Sequence, residues 1–167
     1  MRGKRRQSGL YGPDYWTAAF EEASGSFLSA DLEARRGLYE AVLHYYSFTC
    51  AMTGQVFAAV DGIHPNLQVS AIQPLAEGGP LDVSNFIALC AEADRAFQLG
   101  HISISPDYSF LADLGRIDAD LLGALDPQGR LLLPVDARAW PSQETIAYHR
   151  SHVFAQGAPA GNDGQER

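Results

Sequence analysis

The sequence predicts a single α+β domain, and three observations lead to that prediction. The chain has 167 residues, enough for one domain with a sizeable apolar core. Its hydrophobic fraction of 46% and its charged fraction of 19% are those of an ordinary globular protein. Segments with helical spacing are interspersed with short apolar segments typical of strands, and no internal repeat divides them. One mixed domain is therefore the simplest organisation.

Helices are predicted near both ends of this domain, with strands between them. The segment SADLEARRGLYEAVLHYYSF, which begins at Ser29, repeats apolar residues at roughly helical spacing, and Pro141 stands at the start of a last helix. The stretch HISISPDYSFL, residues 101–111, alternates apolar and polar side chains about a Pro-Asp turn, which predicts strand, turn and strand. The apolar LLLP, residues 131–134, predicts one further short buried strand.

The central stretch LQVSAIQPLAEGGPLDVSNFIALCAEADRAFQLG, residues 67–100, carries the pattern of greatest interest. LQVSAI predicts a strand, and the Gly-Gly-Pro sequence that follows predicts a loop. A helix is expected to begin at Ser84 or Asn85, continue to about Gln98 and end at Gly100. This order of strand, loop and capped helix can bring side chains of the strand and the helix together.

The distribution of charge disfavours strong nonspecific DNA binding. The chain has a formal net charge of −8 and a single lysine. One third of its basic residues lie at the N-terminus, so the rest of the chain has eight Lys and Arg against twenty Asp and Glu. Affinity for DNA depends on neutralising phosphates, so a contact with DNA would need arginines or the basic residues at the N-terminus. The N-terminus is either a flexible terminus or a phosphate-binding tail. The N-terminal basic segment consists of Arg2, Lys4, Arg5 and Arg6.

Cysteine content and hydropathy narrow the class of protein further. Cys50 and Cys90 do not form a CxxC pair, so a four-cysteine zinc site is excluded and two small buried side chains are expected. No run of 18 apolar residues is present, and the basic N-terminus lacks the apolar segment of a secretory signal. We therefore expect a cytoplasmic protein that does not contact a membrane.

Four segments together resemble the HNH endonucleases, specifically the bacterial restriction-endonuclease-like group. The resemblance covers roughly residues 35–155, and it depends on the order and spacing of the segments more than on any one of them. The segments are YSFTCAMTG, LQVSAIQPLAEGGPLDVSNFIALC, FQLGHISISPDYSFL and LPVDARAWPSQETIAYHRSHVF.

The resemblance implies an embedded ββα core that holds one divalent metal ion against the scissile phosphate. In this family a strand histidine activates water, an asparagine orients that histidine, and a helix histidine binds the metal with a group beside the first histidine. Such a site would use Mg²⁺ or Mn²⁺ to stabilise charge on the phosphate, while the imidazole would take the proton of water.

Residue by residue, the sequence retains the asparagine of this pattern and replaces both histidines. The strand histidine falls on Ala71, the asparagine on Asn85 and the helix histidine on Asp94, with Ser70 beside the first position. Alanine cannot accept a proton, so no intact catalytic set is expected. The aspartate that commonly follows Phe in this group falls on Gln98.

Several alternatives stay open at these positions. Asp94, with Ser70, could still provide oxygen ligands to a metal, or it could be a solvent-facing side chain or the partner of an arginine. Asn85 either caps the helix or ties the loop to the strand. His64 is a remote candidate for a substitute base. His149 and His152 share a helix face, and we expect them to pack and hydrogen-bond rather than bind zinc.

The sequence therefore predicts a pseudo-nuclease that binds DNA, a protein partner or a second copy of itself without cutting. The alternative is an active endonuclease that depends on Mg²⁺ or Mn²⁺ and uses Asp94; otherwise no cofactor is expected. Whether the protein is an enzyme stays open. The expected organisation is an N-terminal segment with the basic residues over 1–30, the HNH-endonuclease-like domain over 31–155 and a flexible tail over 156–167.

Overall fold

The computed structural model describes residues 29–57 and 66–155. Within these ranges the α-helices are α1 (Ser29–Tyr45), α2 (Ala91–Gln98), α3 (Ala119–Ala124) and α4 (Gln143–Tyr148), and α4 continues as a π-helix over His149–Phe154. The strands are β1 (Leu67–Ala71), β2 (Phe86–Cys90), β3 (Ile102–Ile104) and β4 (Phe110–Ala112). Short 3-10 turns occupy Leu75–Glu77, Val83–Asn85 and Ala137–Ala139. The predicted α+β class is confirmed.

A ββα unit lies at the centre of the described chain. β1 and β2 pair antiparallel, with Leu67 opposite Cys90 and Ala71 opposite Phe86, and α2 follows β2 without an intervening residue. The prediction of a helix from Ser84 or Asn85 is wrong over its first part, because residues 86–90 form β2. All five side chains of β2 are buried, so the strand shows the continuous apolar pattern that periodicity cannot separate from a buried helix.

The core is built around β2. The ring of Tyr39 in α1 meets the ring of Phe86 edge to face, with 5.6 Å between centroids. On its other edge, β2 receives a hydrogen bond from the segment after α1, since the Ala51 N–H donates to the Ala88 carbonyl over 2.8 Å. Phe86 and Phe97 are fully buried, so α1, β2 and α2 share one apolar core.

The predicted strand, turn and strand over residues 101–111 is confirmed as an antiparallel β3–β4 hairpin, with Ile102 opposite Ala112. The last helix is also confirmed, and Ser142 rather than Pro141 caps it by accepting the Thr145 N–H. The strand predicted over residues 131–134 is wrong. Leu131 is buried, but Leu132 is 45% exposed and its N–H donates to Ala51, so this segment is an irregular connection.

Part of the predicted organisation lies outside the described ranges. This holds for the N-terminal basic segment, for His64 and for the predicted tail over residues 156–167. Among the helices of the described ranges, none has the length and apolar character needed to cross a bilayer.

Candidate functional site

Ser70 of β1 and Asp94 of α2 meet inside the ββα unit. Ser70 is only 4% exposed, and its hydroxyl donates a hydrogen bond to Asp94 Oδ1. The two residues reach each other because β2 places the start of α2 beside β1, which puts the first turn of the helix over the strand. The interpretation of Asp94 as a solvent-facing side chain is wrong, since the residue is half-buried and hydrogen-bonded.

Gln98 extends this contact into a small network. Its side chain hydrogen-bonds the Asp94 carboxylate from one turn further along α2. Gln98 Nε2 also donates to the backbone carbonyl of Ala71 over 3.3 Å. Asp94 thus has two side-chain donors, and the network ties α2 to the last two residues of β1.

The electrostatics of Asp94 are set mainly by burial. Burial raises the pKa of the Asp94 carboxyl, because a low-dielectric environment penalises the charged form, while the hydrogen bonds from Ser70 and Gln98 lower it and only partly compensate. Asp94 takes part in neither of the ion pairs Arg36–Glu40 and Arg138–Asp136 that the described residues form. The carboxylate is stabilised by neutral donors, and a bound cation would stabilise it further.

Ala71 occupies the end of β1 next to this network. It is half-buried and packs against the edge of the core rather than deep within it, opposite Phe86. Its methyl group offers no atom that could accept a proton from water. The structure therefore brings Ser70, Ala71 and Asp94 together at the position expected from the sequence, and it supplies no general base at that residue.

Asn85 has a structural role at the base of the loop between β1 and β2. The side chain is fully buried; Oδ1 accepts from the Gln73 N–H over 2.9 Å, and Nδ2 donates to the carbonyls of Gln73 (2.9 Å) and Pro80 (3.0 Å). The helix-cap alternative is wrong, and the alternative of a tie between loop and strand is the one observed. Gly79 is required here, because a Cβ at this residue would collide with the Gln73 carbonyl oxygen.

The histidines near the C-terminus do not form a metal site. His149 is 2% exposed; its Nε2 donates to the Phe97 carbonyl over 2.9 Å, and its Nδ1 lies 2.7 Å from Ser103 Oγ. Both ring nitrogens are therefore engaged, whereas His152 is exposed and stacks on Tyr148. In the described ranges, no three His, Cys, Asp or Glu side chains come close enough together to hold a metal ion.

Two features of the structure are absent from the sequence-based interpretation. The role of Gln98 could have been inferred from its spacing of four residues from Asp94, which places both on one helix face. The other is the backbone hydrogen bond from Ala51 to Ala88, which no local pattern indicates, since the two residues are far apart in the sequence.

Comparison with solved structures shows a similarity to a modification-dependent TagI restriction endonuclease. The TM-score is 0.50 at 27% sequence identity, and the alignment covers 68% of this chain and 36% of that chain. The fold is restriction-endonuclease-like. This chain spans about a third of the length of that nuclease. Comparison with protein-family models and with curated proteins finds no match to the sequence.

The fold is nuclease-like, whereas residue 71 at the end of β1 offers no general base. The ββα unit is present, with the buried Asn85 at the base of its β1–β2 loop. At the centre of that scaffold lie a methyl group and a hydrogen-bonded Ser-Asp pair. The arrangement joins β1 to α2 through hydrogen bonds.

Proposed function

We propose that this chain is an HNH-like pseudo-nuclease, which binds a partner without cleaving nucleic acid. One observation carries the proposal: the Asp94 carboxylate accepts a hydrogen bond from Ser70 where the resemblance would place metal ligands, beside Ala71. The similarity to a restriction endonuclease supports the scaffold.

The expected loss of activity follows from the missing groups. Removing a general base typically lowers a rate by about 10²- to 10⁴-fold. Here the helix histidine is also replaced, and Asp94 is engaged by two protein donors. A divalent cation would have to displace the Ser70 hydroxyl or share Asp94 with it, with water supplying most other ligands.

The partner is DNA, a protein or a second copy of the chain. Outside the N-terminal basic segment, acidic residues outnumber basic ones by twenty to eight, which favours a protein surface over a phosphate backbone. A protein partner or dimer would bind whether or not the basic segment is intact.

A second candidate function is an active endonuclease that depends on Mg²⁺ or Mn²⁺. The observation in its favour is the half-buried carboxylate of Asp94, whose pKa is raised by burial and which would gain from a bound cation. The hydroxyl of Ser70 is an oxygen ligand of the kind such hard cations accept. A metal-bound hydroxide would then have to attack the phosphate without a base at residue 71.

Nicking of supercoiled plasmid by the purified full-length chain separates these functions. The assay uses Mg²⁺, Mn²⁺, Ni²⁺ and Zn²⁺ in turn, with Asp94→Ala as the site variant. Asp120→Ala is the matched control, because Asp120 is an exposed carboxylate in the first turn of α3. We expect equal background nicking for all three proteins with every metal.

Metal-dependent nicking that is lost in Asp94→Ala and kept in Asp120→Ala would overturn the pseudo-nuclease proposal. Nicking of the same rate in all three proteins would identify a contaminating nuclease and leave the proposal standing. A thermal-shift titration with Mn²⁺ adds a readout that is independent of cleavage.

A further inference from the structure

The closing helix consists of α4 and the π-helix that continues it, and it changes from α to π geometry at His149. π-Helices are rare and occur mostly as single turns, so the six residues of this one, His149–Phe154, need support from other elements. The start of α4 is held separately, because the Ser142 N–H donates to the Ser84 carbonyl over 2.9 Å. The contacts of the π-helix therefore decide whether that part of the closing helix stays in place.

Three contacts attach the π-helix to α2 and β3. Arg150 Nη1 donates to the carbonyl of Ile104 in β3 over 3.2 Å. Gly100, two residues after α2, lies against the Val153 carbonyl, so that a Cβ at this glycine would collide with it. His149 lies between α2 and β3 and is fully enclosed by them. Of these three contacts, only that of His149 involves a group that titrates in mildly acidic solution.

The neighbours of His149 determine which of its ring nitrogens carries the hydrogen. Nε2 lies 2.9 Å from the Phe97 carbonyl oxygen, which can only accept a hydrogen bond, so Nε2 carries the hydrogen and donates it. In the neutral ring Nδ1 is then an acceptor, and the hydroxyl of Ser103, 2.7 Å away, donates to it. The ring also stacks on that of Phe97, with 3.7 Å between centroids. The buried surroundings of His149 therefore fit the neutral imidazole.

A proton added to Nδ1 of His149 would disturb this arrangement. Nδ1 would become a second donor, so the Ser103 hydroxyl would have to turn and accept, and its own hydrogen would lose the acceptor that it has now. The positive charge would be buried beside the ring of Phe97. Burial lowers the pKa of His149 to about 4, and the Phe97 carbonyl compensates only in part. Binding a proton therefore opposes the folded contacts of this ring.

The charged side chains of the surrounding described elements do not offset such a charge. The two causes of the pKa shift of His149 are burial and the Phe97 carbonyl, so no charged group enters. Asp94 of α2 accepts from Ser70 instead, and Arg150 extends to β3. An imidazolium at this position would therefore be buried without a carboxylate partner. The acidic and basic residues of α2 and the closing helix are Glu92, Asp94, Arg95, Glu144, Arg150 and His152, and β3 has none.

We propose that His149 is a pH-sensitive switch, whose protonation releases the π-helix from α2 and β3 while the ββα unit stays folded. The ββα unit keeps its own contacts, since β2 pairs with β1 and its Ala88 carbonyl accepts from Ala51 in the segment after α1. Release would uncover the ring of Phe97. Because the pKa of His149 is about 4 in the folded protein and 6.5 in water, release should have its midpoint between these pH values. The switch does not depend on whether the ββα unit cleaves nucleic acid.

Amide hydrogen exchange of the full-length chain, followed by mass spectrometry at pH 7, 6, 5 and 4, tests the switch. The rates are corrected for the intrinsic effect of pH on exchange. We expect the protection of residues 149–154 to decrease by about tenfold or more between pH 7 and pH 4. Residues of β1 and β2 should stay protected over the same range. Nitrogen-15 NMR of the His149 ring should show the hydrogen on Nε2 at pH 7 and a titration that accompanies the loss of protection.

Three variants test the assigned roles. His149→Gln cannot bind a proton at this position, so the protection of residues 149–154 should no longer depend on pH. His152→Gln is the matched control, because it removes an exposed histidine of the same helix and should leave the transition unchanged. Ser103→Ala removes the donor that stabilises the neutral ring, so the transition should move to higher pH by about 0.5–1 unit. If His149→Gln does not fold, the other two variants and the ring titration decide.

Three results would overturn the proposal. In the first, residues 149–154 keep their protection down to pH 4. In the second, β1 and β2 lose protection at the same pH as the π-helix, which would mean that the domain unfolds as a whole. In the third, the transition persists in His149→Gln or disappears in His152→Gln.

Discussion

At Asp94 the surroundings disfavour the ionised form of the side chain. The carboxyl is half-buried, and its pKa is raised because desolvation outweighs the hydrogen bonds from Ser70 and Gln98. A raised folded-state pKa means that the folded protein binds more protons than the unfolded chain between the two pKa values. Ionisation of Asp94 therefore lowers the free energy of unfolding as pH rises through that window, and the free energy stays lowered above it.

Asp94→Asn tests whether the charge of this carboxylate destabilises the folded protein. The amide keeps the shape and an acceptor for Ser70 and removes the charge, so we expect a higher free energy of unfolding at pH 7. Urea denaturation at pH 7 and at pH 4 measures it, and the gain should shrink at the lower pH. Asp120→Asn, on the exposed first turn of α3, should change neither value. A less stable Asp94→Asn at pH 7 would show that the carboxylate is favoured where it lies.

The closing helix is attached to the ββα unit through His149. The imidazole stacks on Phe97 with 3.7 Å between ring centroids, and its nitrogens contact α2 through the Phe97 carbonyl and β3 through Ser103. Burial lowers the pKa of His149 to about 4. The neutral ring is therefore the form that joins these elements.

Acid should weaken this junction in a defined pH window. Because the folded pKa of His149 lies below the unfolded value of 6.5, the unfolded chain binds more protons, and stability decreases as pH falls from about 6.5 to about 4. The shift corresponds to a loss of about 3 kcal/mol. Urea denaturation at pH 7, 5.5 and 4.5 measures it. His149→Gln should be less stable at pH 7 and should lose much less over this range; an equal loss in both proteins would assign the pH dependence elsewhere.

Gly100, at the junction of α2 with the closing helix, and Gly37, away from that junction, allow a matched test of backbone geometry. Gly100 has a φ of +70°, and a Cβ there would collide with the Val153 carbonyl oxygen of the π-helix. Gly100→Ala should therefore cost roughly 2 kcal/mol or more. Gly37, inside α1, has nothing within 4 Å of such a Cβ, so Gly37→Ala should stabilise the protein by about 0.5–1 kcal/mol. Chemical denaturation measures both, and a harmless Gly100→Ala would mean that the two helices separate easily.

Over the whole molecule, the imbalance of charge decides how DNA could bind. The acidic majority outside the N-terminal basic segment opposes phosphate contact, so any DNA binding should depend on that segment. Replacing its four basic residues by Gln should abolish binding and its salt dependence in an anisotropy titration. Arg138→Gln is the control, since Arg138 already pairs with Asp136 over 2.6 Å. If the variant with all four substitutions still bound DNA, the interface would lie in another part of the chain.

The sequence predicted much of the architecture but only part of the candidate site in the ββα unit. The first helix, the β3–β4 hairpin and the last helix were predictable because local periodicity and turn residues define them. β2 was not, since a strand buried on both faces shows no alternation that distinguishes it from a helix. Positions 70, 71, 85 and 94 were identified through a family resemblance. Their contacts depend on strand pairing over long sequence distances, which a single sequence does not reveal.

The three hydrogen bonds of Asn85 also bear on how the protein could be re-engineered. They close the β1–β2 connection at its base, while Leu81 and Asp82 at its tip are exposed. Because these hydrogen bonds hold the base of the connection closed, a change at its tip should not alter the pairing register of β1 and β2. A short peptide grafted between Leu81 and Asp82 should therefore leave the fold intact. The entropic cost of a longer loop grows slowly, by about 0.6 kcal/mol for each doubling. A graft that lowered the urea midpoint far more than this would show that the tip, too, supports the strands.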